Sequence, residues 1–374
     1  MENKVNWWIK FKFWVKTPEG KKKFILILVF SIIILALFIT IYLRYFSNKT
    51  NSDSTKSSNI FPGKTDETPT IKTTVSLLDG LKYNEDISNR HPLAVMIENH
   101  PDARPQSGLD KAKIIYEAIA EGGITRFMTI FGPDSASKVG PVRSARTYYL
   151  DWALEYDAFY AHVGGNIDAL DLIPKIGIKD LDQFRYGTEA YWRVPQAGKA
   201  TEHTMFADTD KLYSIAKNNK WDMTANFTPL SFKDDVKTEL RPTTQSVTIN
   251  FSTNTYKVKW QYNNDDNNYE RYMAGIAHKD AVSGKILTAK NVIIQEVNRQ
   301  PAVTRINEQG WTMQTTGTGK AKIIIDGKVI DGTWKKKDRN SRTTFADNNG
   351  DEIKFNAGTT WYEIVPPGTD VTVS

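Results

Sequence analysis

PLAVMIENHPDARPQSG, residues 92–108, begins as an almost unbroken apolar run and ends as a loop of charged, polar and proline residues. A run without alternation reads as a strand covered on both faces, and such a strand needs a layer above and a layer below it. The neighbouring segments supply them. IIYEAIAEGGITRFMTIF (114–131) sets two stretches of period-two character about Gly122-Gly123, the pattern of a β-hairpin. SARTYYLDWAL (144–154) has helical spacing with Ser144 as its expected N-cap. DAFYAHV (157–163) returns to strand. Asn166 is placed to cap IDALDLI, and Asp208 to open DKLYSIAKN. Residues 77–235 therefore read as an α/β (α+β) domain. After Arg241 no helical period persists. SVTINF, YKVKWQY, YERYMAG, NVIIQEV, GWTMQTT, KAKIIID, EIKFNA and WYEIV are short β-type segments separated by turns such as Asp326-Gly327 and Asn349-Gly350. Residues 240–370 read as a second, mostly β domain.

The chain has 374 residues, no cysteine and a net charge of +6. Residues 1–46 hold eight Lys/Arg against Glu2 and Glu19, which accounts for the whole of that +6. The remainder is neutral, so nucleic acid is excluded as an expected partner. Zero cysteine excludes a disulfide scaffold, a thiolate metal site and a Cys nucleophile. FILILVFSIIILALFITIYL (24–43) is twenty residues without a charge, about 30 Å of helix, enough to cross a bilayer's hydrocarbon core. Seven lysines precede it and only Arg44 and Lys49 follow closely, which puts residues 1–23 in the cytoplasm and everything after the span outside. The expectation is a single-pass, uncleaved signal anchor in the cell membrane. Trp7, Trp8, Phe11, Phe13 and Trp14 among lysines suit the headgroup layer. Residues 44–76 are Ser/Thr/Asn/Lys-rich and read as a flexible linker.

Candidate chemistry gathers in three places. The loop after the buried strand carries Glu98, Asn99, His100 and Arg104, at the kind of carboxyl end where α/β folds place ligands. KVGPVRSART (138–147) sets Arg143 and Arg146 about Ser144 at the expected helix start. Free N–H groups, the helix dipole and two guanidiniums there suit a phosphate, pyrophosphate or carboxylate. In the competing account both arginines pair internally with Glu117, Glu121 or Asp151. YAHVGGN (160–166) adds His162, and Glu202-His203 could complete a cluster. The five histidines show neither HExxH nor HxH spacing, so no metal ligand set and no cofactor are expected. An oxygen-ligated Mg²⁺ beside a phosphate would have to draw on Asp102, Glu117 or Asp151. GxSxG, Walker and GxGxxG motifs are missing. Glu117 and Glu121 read as solvated rungs of the hairpin, and Lys335-Lys336-Lys337 as a solvated run.

PLAVMIENHPDARPQSGL, IIYEAIAEGGITRFMTIF, GPVRSARTYYLDWA and EYDAFYAHVGGNIDAL resemble, in that order, the YerB-like lipoprotein family of Gram-positive bacteria. YERYMAGIAHKDAVSGKILTAKNVIIQ and DGKVIDGTWKK extend the likeness, which covers about residues 79–367. The resemblance implies a two-part domain of unknown function at the cell envelope. It brings no activity and no site residues. Lipoprotein members carry an acylated cysteine, and here a transmembrane segment stands in its place. The expected function is a binding or regulatory module for an anionic cell-wall polymer, a lipid-phosphate precursor or an envelope protein partner. The alternative is an enzyme acting on a phosphate-bearing cell-wall precursor, in the manner of a glycan phosphotransferase.

The lysine asymmetry makes a direct prediction: protease added to intact protoplasts should remove the part of the chain after the span. Protection of the C-terminal region, assayed by immunoblot, would overturn the orientation.

Overall fold

The computed structural model describes residues 14–15, 17–50 and 72–374. Two compact units divide the chain, residues 1–69 and residues 70–374. The first holds helix α1 (Pro18–Thr50), whose stretch Pro18–Thr40 is long and apolar enough to cross a membrane, with a mean hydropathy of 2.8 over its most apolar 18 residues. The helix runs seven residues beyond the expected span of 24–43, into residues first read as linker. The headgroup segment over 1–13 and the tether over 51–71 lie outside the described residues.

The second unit is built on one ten-stranded mixed sheet. Its strands are β1 (Leu93–Glu98), β2 (Ile114–Ile119), β3 (Thr125–Phe131), β4 (Phe159–His162), β5 (Lys179–Asp182), β6 (Asn291–Glu296), β7 (Gly317–Ile325), β8 (Lys328–Lys336), β9 (Thr344–Asp347) and β10 (Thr360–Val365). They lie in the order β9-β8-β7-β6-β10-β2-β3-β1-β4-β5. The expected hairpin is the antiparallel pair β2–β3, turned by Glu121–Gly123. Strand β1 is wholly buried, between β3 (antiparallel) and β4 (parallel). Its alternate residues feed two cores. Leu93, Val95 and Ile97 face one, shared with Trp260, Val258 and Tyr269 of a second sheet. Ala94 and Met96 face the other, shared with Tyr149 and Trp152 of helix α2 (Thr147–Leu154) and Ile173 of helix α3 (Ile167–Ile176). The second sheet runs Ile276–Ala277, Asn268–Met273, Lys257–Asn263, Ser246–Asn250, Val371–Val373, each strand antiparallel to the next.

Local signals mostly reach their elements. Asn166 accepts the Ala169 N–H at the start of α3, and Asp208 accepts those of Asp210 and Lys211 at the start of helix α4 (Thr209–Asn218). Ser144 does not cap: α2 begins at Thr147 with Arg146 in the extended N-cap position and no side-chain cap. Lys336, expected in solvent, is fully buried, 3.2 Å from Glu155 and bonded to the carbonyls of Arg339 and Ser341. It sits on β8 facing the α2 side, where strand alternation outweighs a run of like charge.

The change in composition near 235–240 is not a gap between two bodies. Strand β10 of the later region pairs in parallel with β2 of the earlier one, from Thr360↔Ile114 to Ile364↔Ala118. A chain beginning at Thr70 should therefore melt in one cooperative transition, whereas residues 77–235 alone should not fold. Cutting β10 away bares Ile115, Tyr116 and Ile119, at about 1.5–3 kcal/mol each, against a whole-domain stability of about 5–15 kcal/mol. Calorimetry of the two fragments checks this, and a cooperative melt of the shorter one would refute it.

Candidate functional site at the carboxyl end of β1

The loop after β1 is pinned from below by a buried ionic network between the two sheets. Arg271, on the Asn268–Met273 strand, contacts Glu117 of β2 and lies 3.4 Å from Glu363 of β10, and all three side chains are fully buried. Trp361, Trp260 and Phe127 surround its guanidinium at 4.4, 5.2 and 5.6 Å from ring centroids. Glu117 is thus no solvated rung; it is one of two carboxylates set side by side by the parallel register Glu363↔Glu117. One guanidinium cannot neutralise both. Burial, followed in the same direction by the charge of Glu117, pushes the Glu363 carboxyl up to about 8 against the pull of Arg271. His278 accepts from Arg271 Nε at 3.2 Å through Nδ1 and meets Gln106 Oε1 at 2.8 Å through Nε2. Burial first, then the charges of Arg271 and Arg104, keep its imidazole pKa well below the ordinary value.

Two of the expected ligand residues serve this network. Asn99 donates to Thr125 Oγ1 at 2.6 Å and Glu117 Oε1 at 3.3 Å, and its Oδ1 accepts from Arg104 Nε at 3.0 Å and Gln106 Nε2 at 2.9 Å. Arg104 also donates to the carbonyls of Asn99 and Thr255, at 2.9 and 3.0 Å. Its guanidinium is spent inside.

A second group of residues meets at the rim. The segment carrying Arg143 straps along β1, with Glu98 N–H donating to Pro141 O and Arg143 N–H to Met96 O, both at 2.9 Å. This sets Arg143 Nε 2.6 Å from Glu98 Oε2, in ion-pair contact but without the alignment of a hydrogen bond. The Arg143 side chain is a quarter exposed and donates no hydrogen bond among the described residues. The same Glu98 oxygen lies 3.2 Å from His203 Nδ1. His203 stacks on His100, with centroids 4.8 Å apart, and His100 Nδ1 is 3.6 Å from Asp102 Oδ2. The surface carboxyl of Glu202 is held below its usual range by its own backbone N–H, with His203, Arg143 and His100 adding to the effect.

Arg146, Ser144 and His162 lie in other surroundings. Arg146 grips Glu121 with Nε and Nη2 at 2.5 and 2.8 Å, the internal pairing of the competing account, and Ser144 O accepts from Arg126 Nη1 at 3.0 Å. Burial alone would raise the Glu121 carboxyl, but the hydrogen bond and charge of Arg146, with Arg126, hold it below the ordinary value. The expected anion seat between Arg143 and Arg146 is therefore split, each arginine facing its own glutamate. His162 is fully buried, its nitrogens facing Gly164 O at 2.7 Å and Asp180 Oδ1 at 2.8 Å. Sequence reading missed Arg271, Glu363, His278 and Gln106. One signal was present: YEAI and YEIV each place a lone glutamate inside an apolar strand, and the strand YERYM carries the matching arginine.

The raised Glu363 carboxyl fixes the sign of a pH effect. Between the ordinary carboxyl range and about 8 the folded chain holds a proton that the unfolded chain has released. Stability from this group is thus full at low pH and lost as pH rises toward 8. Urea unfolding at pH 5 and pH 8 should show that fall, and Glu363→Gln should flatten it. An unchanged slope in the variant would assign the proton elsewhere.

Models of the "Protein of unknown function (DUF3048)" N-terminal and C-terminal domains match residues 78–222 and 247–362. The Bacillus subtilis (strain 168) protein named "Putative lipoprotein YerB" is 30% identical over 302 residues, covering 79% of this chain and 88% of the relative. The crystal structure of YerB protein from Bacillus subtilis superposes with a TM-score of 0.71 at 28% identity, covering 80% of this chain and 99% of that one. With the order of blocks, the fold and the identity in agreement, this chain belongs to the YerB-like, two-part DUF3048 family.

Proposed function

We propose that the protein is a membrane-anchored, extracytoplasmic binding module of the bacterial cell envelope. Its rim at the carboxyl end of β1 takes an anionic group of a cell-wall polymer or lipid-phosphate precursor. The observation that carries this reading is Arg143. Its Nε is taken up by Glu98 at 2.6 Å, while the side chain stays a quarter exposed and its terminal nitrogens donate no hydrogen bond among the described residues. At those terminal nitrogens a phosphate or carboxylate oxygen would supply charge-assisted bonds of about 1.5–3 kcal/mol each. Arg104 and Arg146 are engaged internally, so Arg143 is the one of the three arginines singled out from sequence that has donors to offer. The anchor part of the reading rests on α1 and the lysines before it, and on similarity to a relative named as a lipoprotein. Envelope tethering by a helix here and by lipid there would serve the same location.

The test uses the full chain in detergent micelles with EDTA present, titrated calorimetrically with polyglycerol phosphate and with undecaprenyl phosphate. Saturable binding of either is expected, weakened at least tenfold by Arg143→Gln. Losing the partner of buried Glu98 lowers the variant's melting point, so both affinities are compared at a temperature where both chains stay folded. Absence of binding by the wild type, or affinity unchanged in the variant, would overturn the reading.

A further inference from the structure

His100, Asp102 and His203 come from two distant loops, yet each offers a ligand atom within 4.8 Å of the other two. We propose that these three residues bind a single divalent first-row transition ion, with Glu98 orienting His203, a site that goes beyond the anion-binding reading and does not depend on it.

Three features support the assignment. The donor set of two imidazoles and one carboxylate favours zinc-type ions over the all-oxygen coordination preferred by Mg²⁺ and Ca²⁺. His203 also has the surroundings of a metal ligand. Its Nδ1 faces Glu98 Oε2 at 3.2 Å, and that carboxylate is buried and held in place by Arg143 at 2.6 Å. A carboxylate on one ring nitrogen fixes the imidazole and leaves the other, Nε2, free to bind. Finally, the cluster can close. Metal bonds of about 2.0–2.1 Å place tetrahedral ligands roughly 3.4 Å apart, so the atoms must draw in by up to about 1.4 Å. His100 caps the single turn Pro101–Ala103, its Nδ1 accepting the Asp102 N–H at 3.3 Å, and Asp102 rides on that turn; at one-third and 61% exposure both side chains have room to turn, His100 giving up this weak cap as it does so. His203 is 9% exposed and remains the fixed point. Three protein ligands leave a coordination position open, beside the Arg143 donors.

The histidine spacing hides this site in the sequence: His100 and Asp102 are two residues apart, while His203 follows about a hundred residues later. The probe is Co²⁺, with Zn²⁺ as competitor, added to the untagged full chain in micelles after EDTA treatment and dialysis. One Co²⁺ per chain should bind with visible ligand-field absorption, and Zn²⁺ should abolish that absorption. His100→Ala and Asp102→Ala should each weaken binding at least about tenfold. Both lie at the surface, so the metal-free melting point should stay put. No Co²⁺ binding by the wild type, or binding undiminished in the double variant, would overturn the proposal. The double variant should lose Co²⁺ while keeping polyglycerol phosphate in the presence of EDTA, so failure of the metal site is distinguishable from failure of the anion reading.

Discussion

One guanidinium between two buried carboxylates holds the unit over residues 70–374 together. Arg271 belongs to the smaller sheet, Glu117 and Glu363 to adjacent strands of the larger one, and none of the three touches water. Breaking such a group by removing one partner costs about 3–5 kcal/mol, because the remaining charge is stranded in a low dielectric. The arrangement therefore specifies register. A slip of one residue between β2 and β10 would send Glu117 or Glu363 to the opposite face, where Tyr116 and Tyr362 stack at 4.3 Å. It also joins the two halves of the chain, since β2 comes from the first and β10 from the second.

The polar network grows outward from that core in a continuous path. Glu117 accepts from Asn99, Asn99 holds Arg104 and Gln106, and Gln106 reaches His278, which in turn accepts from Arg271. The loop following β1 is consequently rigid on its inner side. Its outer side, at His100 and Asp102 beside Arg143, is where groups remain with bonding capacity. The division of labour follows from strand alternation and exposure, with the side chains that reach inward satisfied by protein and those at the rim meeting solvent.

Much of the fold was legible residue by residue. The unbroken apolar run of β1, the double glycine of the β2–β3 turn, and the caps Asn166 and Asp208 all act through neighbours a few positions away. Misreadings came where distant partners override local chemistry. Lys336 and Glu117 carry charges that a local reading sends to water, yet Glu155 and Arg271 lie far away in sequence and make burial possible. Ser144 is a sound cap by composition, but the strap along β1 extends the backbone through Arg146 and delays the helix to Thr147. Of the residues singled out from sequence, Glu98, His100 and Arg143 meet at the rim, whereas Arg104 and Arg146 are held by internal partners.

The sequence by itself determined the apolar N-terminal helix, the succession of α/β and then β-rich regions, the family, and the loops that carry polar groups. Each of these depends on composition, short-range periodicity or direct likeness. Only the tertiary structure decided that the two regions share one sheet, which arginine keeps free donors, and that His203 stands over His100 and Asp102. Those outcomes depend on contacts between residues tens to hundreds of positions apart. Such contacts form when sheets pair and loops are brought to one edge, and no local pattern encodes them.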